Sequence, residues 1–135
     1  MSNLSMIGKG IAIYTGEHKD QFPPDLAALI EDGLPPGILV SPLSGRPPPT
    51  YDKKTKKLTG EVDYIYLQLD SLQLDNTAQF DLICAYERPE NSGGRPINVL
   101  YADLHVGEMD RKSLEAAIKK TQDYIKGHPP KKQKE

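Results

Sequence analysis

The stretch that decides the fold is NLSMIGKGIAIY, residues 3–14. Its large apolar residues recur at intervals of three, four and three, the spacing of one α-helical face: Leu4, Ile7, Ile11 and Tyr14. Gly8 and Gly10 each weaken a helix by about 1 kcal/mol relative to alanine. We therefore expect a helix over residues 3–17 that needs a partner surface, with its glycines allowing a neighbouring backbone to come close.

The next segment predicts a short second helix followed by a loop. Asp25 is suited to cap a helix over residues 26–32, and Gly33 is suited to the positive φ at its end. Residues 35–49 contain six prolines, which argue against a long helix or a central strand. We expect a loop that runs over the surface.

Strands are predicted in the second half of the chain. The β-branched and aromatic runs are residues 62–67, 80–86, 97–102 and 105–109. The short gap at Asp103-Leu104 suggests a tight antiparallel turn. Leucine is a poor residue for positive φ, so a bulge or a longer loop is left open there.

A final helix is predicted before a polar tail. Its apolar face consists of Leu114, Ala117, Ile118, Thr121 and Ile125. Asp110 or Ser113 could cap it, and Gly127 ends it. The fold class expected is α+β, with the N-terminal helix packed on an antiparallel sheet of three to four strands. Residues 1–127 are predicted to form a single globular domain, and residues 128–135 a flexible basic tail.

Composition narrows the class of protein. A formal net charge of -2 offers no basic surface for nucleic acid. No apolar run approaches the roughly 20 residues of a membrane span, so the chain as written is expected to be soluble. Cys84 is the single cysteine, which excludes an intrachain disulfide, and its apolar surroundings predict a buried side chain.

Three ordered motifs resemble the prepilin-like, or pseudopilin, family of bacterial type II secretion and type IV pilus systems. The first motif consists of Asn3, Leu4, Ile7, Gly8, Tyr14, Phe22, Pro23 and Pro24. The second, in AYERPEN and the glycines after it, consists of Tyr86, Glu87, Pro89, Asn91, Gly93 and Gly94. The third, in NVLYAD and the following HV, consists of Asn98, Ala102, Asp103 and His105. Leu104 replaces the usual glycine, Ser92 a common histidine, and Ser41 a common cysteine.

The resemblance implies a pilin-like head domain on the outer side of the cell envelope. Such proteins are not enzymes and act through contacts with other pilin-like subunits or secretion-system proteins. The family's membrane helix does not occur in this sequence, so the resemblance implies a trimmed chain or a soluble derivative. Met6 and Ile13 fall off the centre of the helix stripe, and we expect them to face another subunit.

Two other classes of function compete with this one. A ligand-binding module on the same fold would use a cleft between the Pro-rich loop and the sheet. A metal-dependent phosphoesterase would use Asp103 and His105 as a D-x-H ligand pair, but that chemistry needs further ligands downstream. His18 is expected to contact the carbonyls at the helix end rather than a metal.

No cofactor is expected, although calcium is left open. The aspartates that could contribute are scattered and form no calcium-binding loop: Asp63, Asp70, Asp75 and Asp81. We expect these carboxylates to be solvated.

Overall fold

A computed structural model describes residues 2–18, 21–41, 45, 47–69, 82–91 and 94–127. The fold is α+β. The helices are α1 (Ser2–Glu17), α2 (Leu26–Glu31) and α3 (Arg111–Gly127), with two short 3₁₀ helices at Pro36–Leu39 and Pro89–Asn91. The strands are β1 (Thr50–Asp52), β2 (Lys57–Thr59), β3 (Tyr64–Tyr66), β4 (Ile83–Glu87), β5 (Ile97–Tyr101) and β6 (Val106–Met109). No helix among these residues is both long and apolar enough to cross a membrane.

The main sheet has four antiparallel strands in the order β3-β4-β5-β6. Every residue of β4 is buried, because β4 lies inside the sheet and both of its faces are covered. The pairing of β4 with β5 shifts between Ile83 and Ala85, so the alternation of side chains is interrupted there. A sheet of three to four antiparallel strands is the prediction, and it is confirmed.

Helix α1 covers one face of this sheet. Its apolar stripe is buried along its whole length: Leu4, Ile7, Ile11 and Tyr14. These side chains join one core with Phe22, Leu29 and Leu39 before the sheet and with Cys84 and Leu100 in it. The predicted packing of the N-terminal helix on the strands is confirmed, and α2 and the first 3₁₀ helix complete the same layer.

Helix α3 covers the opposite face of the sheet. The apolar periodicity of α3 predicts that one side of the helix is buried, but it does not predict which face of the sheet that side packs against. Leu114 and Ala117 pack with Ile83 and Val99 in a second, smaller core. Thr121 is buried between α3 and β4. Its hydroxyl accepts a hydrogen bond from the Ile83 N–H at 3.1 Å and donates one to the Ala117 carbonyl. The residues that the structure describes therefore form three layers, with the four-stranded sheet in the middle.

The predicted caps of α2 and α3 are largely confirmed. An oxygen of Asp25 accepts a hydrogen bond from the Ala28 N–H at 3.1 Å, and Gly33 has a φ of 115°. An oxygen of Asp110 accepts from the Ser113 N–H at 2.7 Å. Of the two residues considered as caps for α3, Asp110 is therefore the cap.

Strand boundaries are less well predicted. The sequence does not predict the hairpin of β1 and β2, whose turn places Lys56 at a φ of 57°. Residues 62–67 contain a strand of three residues, Tyr64–Tyr66, rather than six. Residues 80 and 81 lie outside the described residues, as does the predicted tail at 128–135.

The prediction that Asp63 is solvated is wrong. This aspartate is 0% exposed, and its Oδ2 accepts a hydrogen bond of 2.6 Å from the Ser41 N–H. Its own backbone N–H donates to the Leu39 carbonyl, and its carbonyl accepts from the Arg88 N–H. Asp63 thereby joins the Pro-rich segment to the start of the sheet. The same prediction for Asp70, Asp75 and Asp81 lies outside the described residues.

Candidate interaction surface on the N-terminal helix

The side of α1 that points away from the sheet is the candidate interaction surface. This outer face consists of Ser5, Met6, Lys9, Ala12, Ile13, Gly16 and Glu17, all partly or fully exposed. Ile13 is 61% exposed, and within the described part of the chain it is the single large apolar side chain that is exposed to this degree. Met6, in contrast, is half-buried against the edge of the main core.

The position of Ile13 follows from the helical repeat. Successive residues of an α-helix are about 100° apart, so Ile13 points away from the stripe that includes Ile7 and Ile11. Lys9 precedes Ile13 by four residues and Glu17 follows it by four, and both side chains are exposed. The outer face therefore has an apolar centre with a positive charge on one side and a negative charge on the other.

The end of α1 is fixed by His18. Its Nδ1 lies 2.8 Å from the Tyr14 carbonyl oxygen, and its ring stacks on the Tyr14 ring with 3.8 Å between centroids. The prediction that His18 contacts a carbonyl at the helix end is confirmed. Because Tyr14 is itself buried, this contact holds the last turn of the outer face in place.

The remaining residues of the first motif hold α1 to its layer. The Asn3 side-chain amide donates to the Val40 carbonyl at 2.9 Å. The Tyr66 hydroxyl donates to the Pro23 carbonyl at 2.6 Å, and burial raises the pKa of Tyr66, which keeps this donor protonated. Phe22 and Pro23 are buried, whereas Pro24 is exposed.

The second motif lies on β4 and the loop after it. Tyr86 and Glu87 are buried strand residues, and Pro89 and Asn91 belong to the second 3₁₀ helix. Gly94 has a φ of 87°, whereas Gly93 lies outside the described residues.

The third motif forms the turn between β5 and β6. Asn98 lies within β5, and Ala102 is buried at its end. The Asp103 carboxylate accepts from the His105 N–H at 3.2 Å and pairs with the His105 ring. A tight turn is thus formed, and Leu104 takes the positive φ, 75°.

The Asp103–His105 pair is exposed and stacks on a tyrosine. The ring of Tyr101 lies against that of His105, with 4.3 Å between centroids. Within the described residues, no group of three His, Cys, Asp or Glu side chains is placed to hold a metal ion. The further ligands that a phosphoesterase requires are therefore not assembled around this pair by the described part of the chain.

Cys84 lies in the core, as predicted. Its thiol is fully buried and donates to the Tyr101 carbonyl at 3.5 Å. Burial raises the pKa of the Cys84 thiol, because the thiolate would lose its hydration. The thiolate needed for nucleophilic attack is disfavoured at this position.

An open cleft lies between the loop after β4 and the start of α3. Its volume is about 370 Å³, and its lining includes Pro89, Arg95, Ile97 and Arg111. The cleft predicted between the Pro-rich loop and the sheet falls partly on residues 42–44 and 46, which lie outside the described residues.

Comparison with known proteins finds no family model, no curated protein and no solved structure that matches this chain. Proposals about the function of this chain are therefore based on its fold and on the chemistry of the residues that the structure describes. Sequence reasoning identified Ile13 but not the charges that flank it. Their spacing of four residues on each side is the signal that could have revealed them.

Proposed function

We propose that this chain is a non-enzymatic assembly subunit, resembling a pseudopilin head domain, that acts through protein–protein contacts in a secretion or pilus-like apparatus. The contact surface is the outer face of α1. The observation that carries the proposal is Ile13, a large apolar side chain that is 61% exposed at the centre of that face.

The energetics of the outer face favour a contact. Full burial of an isoleucine side chain is worth about 1.5–3 kcal/mol, so a partner that covers Ile13 gains a large part of that. The opposite side of α1 is buried in the core, which holds the helix rigidly. A rigid surface loses little conformational entropy when it binds.

The distribution of the motif residues is consistent with a scaffold. They lie in three separate places: on α1 and the segment after it, on β4 and its loop, and in the turn after β5. Most of those on α1 and β4 are buried and hold layers together. Residues that serve a reaction would be expected to converge on one cleft.

Site-specific photo-cross-linking tests the proposal. A photoreactive amino acid would replace Ile13 in the full chain, in the cells that produce it naturally. The matched control carries the same group at Ala116, an exposed residue of α3 on the opposite side of the sheet. We expect adducts from position 13, but not from position 116, that mass spectrometry identifies as this chain or another prepilin-like protein. Equal labelling at both positions, or adducts only with unrelated proteins, would contradict the proposal.

The cleft of about 370 Å³ favours a ligand-binding module as the second candidate. Pro89 and Ile97 give it apolar lining. Its charged lining is mixed, with Arg95 and Arg111 beside Glu90 and Asp110, and the guanidinium groups are the part suited to carboxylates. Titration with small aliphatic and aromatic carboxylates, followed by amide NMR, tests this. Saturable shifts confined to Gly94, Arg95 and Arg111 would support it, and the absence of shifts at millimolar ligand would contradict it.

A further inference from the structure

We infer that the cleft between the loop after β4 and the start of α3 binds a free α-amino acid with an aliphatic side chain, through both its carboxylate and its ammonium group. This inference rests on the second candidate function, the ligand-binding module, and specifies its ligand. It does not depend on the outer face of α1, because the cleft lies at the end of the sheet where β5 begins and β6 ends.

The register of β5 and β6 brings two arginines to this cleft. Ile97 pairs with Met109 in the antiparallel ladder. Arg95 lies two residues before Ile97, and Arg111 lies two residues after Met109, so the chain leaves the sheet with the two arginines at facing positions. Both of them line the cleft. Guanidinium groups in such a place favour a carboxylate, which can accept two parallel hydrogen bonds from one arginine.

Arg111 is available to a ligand. Its side chain is exposed, and within the described part of the chain it forms neither an ion pair nor a hydrogen bond. A ligand carboxylate that contacts Arg111 therefore displaces no existing partner. We assign the carboxylate of the amino acid to this guanidinium group.

The cleft also has negative charges, which distinguish a zwitterion from a simple carboxylate. Glu90 and Asp110 line it together with the arginines, and they repel a ligand that is only negative. An ammonium group on the ligand turns this repulsion into attraction. Glu90 already lies 4.0 Å from the Arg88 guanidinium, so we assign the ammonium group to Asp110. One oxygen of Asp110 accepts from the Ser113 N–H, and the carboxylate keeps further acceptor positions.

The size and the apolar lining of the cleft limit the ligand further. Its volume of about 370 Å³ is at the lower end of the roughly 300–1,000 Å³ that is usual for ligand sites. Pro89, Pro96 and Ile97 supply apolar surface, and Ile97 is held in the core with 2% exposure. An amino acid has both charges on one carbon beside its side chain, whereas a peptide separates them along its length. The combination of small volume, mixed charge and apolar surface therefore fits a single aliphatic amino acid.

The expected affinity is modest. Most of the residues that line the cleft are exposed, so the ion pairs form in contact with water and contribute less than buried ones. For a ligand of about nine non-hydrogen atoms we expect a dissociation constant of about 1 mM, and titrations must extend to about 20 mM.

Three matched ligands test the two charges separately, with the amide NMR shifts of the full chain as the readout. L-Leucine carries both charges, 4-methylpentanoate is leucine without its ammonium group, and 3-methylbutylamine is leucine without its carboxylate. We expect L-leucine to give saturable shifts at Gly94, Arg95 and Arg111. It should bind about tenfold more tightly than either of the other two, because each of them lacks one charge-assisted contact.

Two substitutions assign each charge to its residue. Arg111→Gln should weaken L-leucine binding about tenfold, to the affinity of 3-methylbutylamine for the unaltered chain. Asp110→Asn should weaken it to the affinity of 4-methylpentanoate, and asparagine keeps a capping oxygen for α3. The matched controls are Lys119→Gln and Asp123→Asn, which make the same changes of charge at exposed positions of α3 outside the cleft lining. Both controls should leave L-leucine binding within about twofold.

The outcomes separate this inference from the functions proposed above. If 4-methylpentanoate binds as tightly as L-leucine, or if Asp110→Asn weakens L-leucine binding no more than Asp123→Asn does, the zwitterionic ligand is wrong and the ligand-binding module stands. If none of the three ligands shifts the cleft residues at about 20 mM, both the inference and the ligand-binding module fail. The assembly function is decided separately, by the comparison of positions 13 and 116 in the cross-linking experiment.

Discussion

Gly8 of α1 lies directly against the carbonyl oxygen of Leu104, the residue at which the chain turns from β5 into β6. A Cβ on Gly8 would lie 3.3 Å from that oxygen and 3.1 Å from Cδ1 of Leu100. The helix thus approaches the turn closely at Gly8, and a Cβ there would have to displace the Leu100 side chain or the turn by a few tenths of an ångström, at a position where a helix alone would favour alanine.

Replacement of Gly8 by alanine should destabilise the fold. The gain in helix propensity is about 1 kcal/mol, but overpacking a core typically costs about 1–3 kcal/mol. Gly16→Ala is the matched control, since no atom lies within 4 Å of its added Cβ. We expect about 1 kcal/mol lower unfolding free energy for Gly8→Ala and a gain of about 0.5–1 kcal/mol for Gly16→Ala, measured by urea denaturation. Equal stabilisation by both substitutions would refute the contact with Leu104.

Leu104 should tolerate glycine better than alanine. Its φ of 75° disfavours side chains by about 1–2 kcal/mol, and glycine removes this cost. Both substitutions remove the same half-buried leucine side chain from the edge of the core. We therefore expect Leu104→Gly to be more stable than Leu104→Ala by about 1–2 kcal/mol in thermal or urea unfolding. The opposite order would mean that residue 104 does not hold this backbone conformation.

Asp63→Ala should lower the free energy of unfolding, because this aspartate is buried although aspartates usually lie on the surface. The substitution leaves the buried N–H of Ser41 without its carboxylate acceptor, which costs about 1–3 kcal/mol. Asp123→Ala, at an exposed position of α3, is the control and should change the unfolding free energy by less than about 0.5 kcal/mol. If urea denaturation showed equally small changes in unfolding free energy for Asp63→Ala and Asp123→Ala, the anchoring role of Asp63 would be contradicted.

Acid should weaken the cap of α3. The pKa of Asp110 is lowered, first by the hydrogen bond from the Ser113 N–H and then by the Ser113 side chain. A carboxyl with a lowered pKa stabilises the fold above its unfolded pKa, about 3.9, and this contribution is lost as pH falls through the folded pKa. Asp110→Asn keeps a capping oxygen but cannot titrate. We expect the stability difference between the two proteins to be constant above about pH 5 and to shrink by about pH 3, measured by urea denaturation. A difference that is unchanged at low pH would contradict this role.

The helices could be predicted because local chemistry defines them. The stripe from Leu4 to Tyr14 has a clear period, and Asp25 and Asp110 are ordinary capping residues. The short hairpin of β1 and β2 has no comparable signal, because strands of three residues with mostly exposed side chains show little alternation. The buried state of Asp63 was missed because its acceptor role depends on Ser41, which is 22 residues away in the sequence.

The candidate surface could be predicted in part. The sequence places Ile13 off the helix stripe, and the structure shows it exposed. Met6 lies off the same stripe yet is half-buried, because neighbouring elements of the core reach that part of α1. Periodicity gives the direction in which a side chain points, but the extent of its cover depends on what packs beside it.

By itself, the sequence determined the three helices, the approximate positions of the strands of the main sheet, which side of α1 is apolar, and the spacing of Lys9, Ile13 and Glu17. These properties depend on residues within a few positions of one another. The tertiary structure alone decided that α3 covers the face opposite α1, that Asp63 is buried, and that Gly8 meets Leu104. Each of these depends on segments distant in the chain, whose contacts are set by packing the whole core rather than by any local pattern.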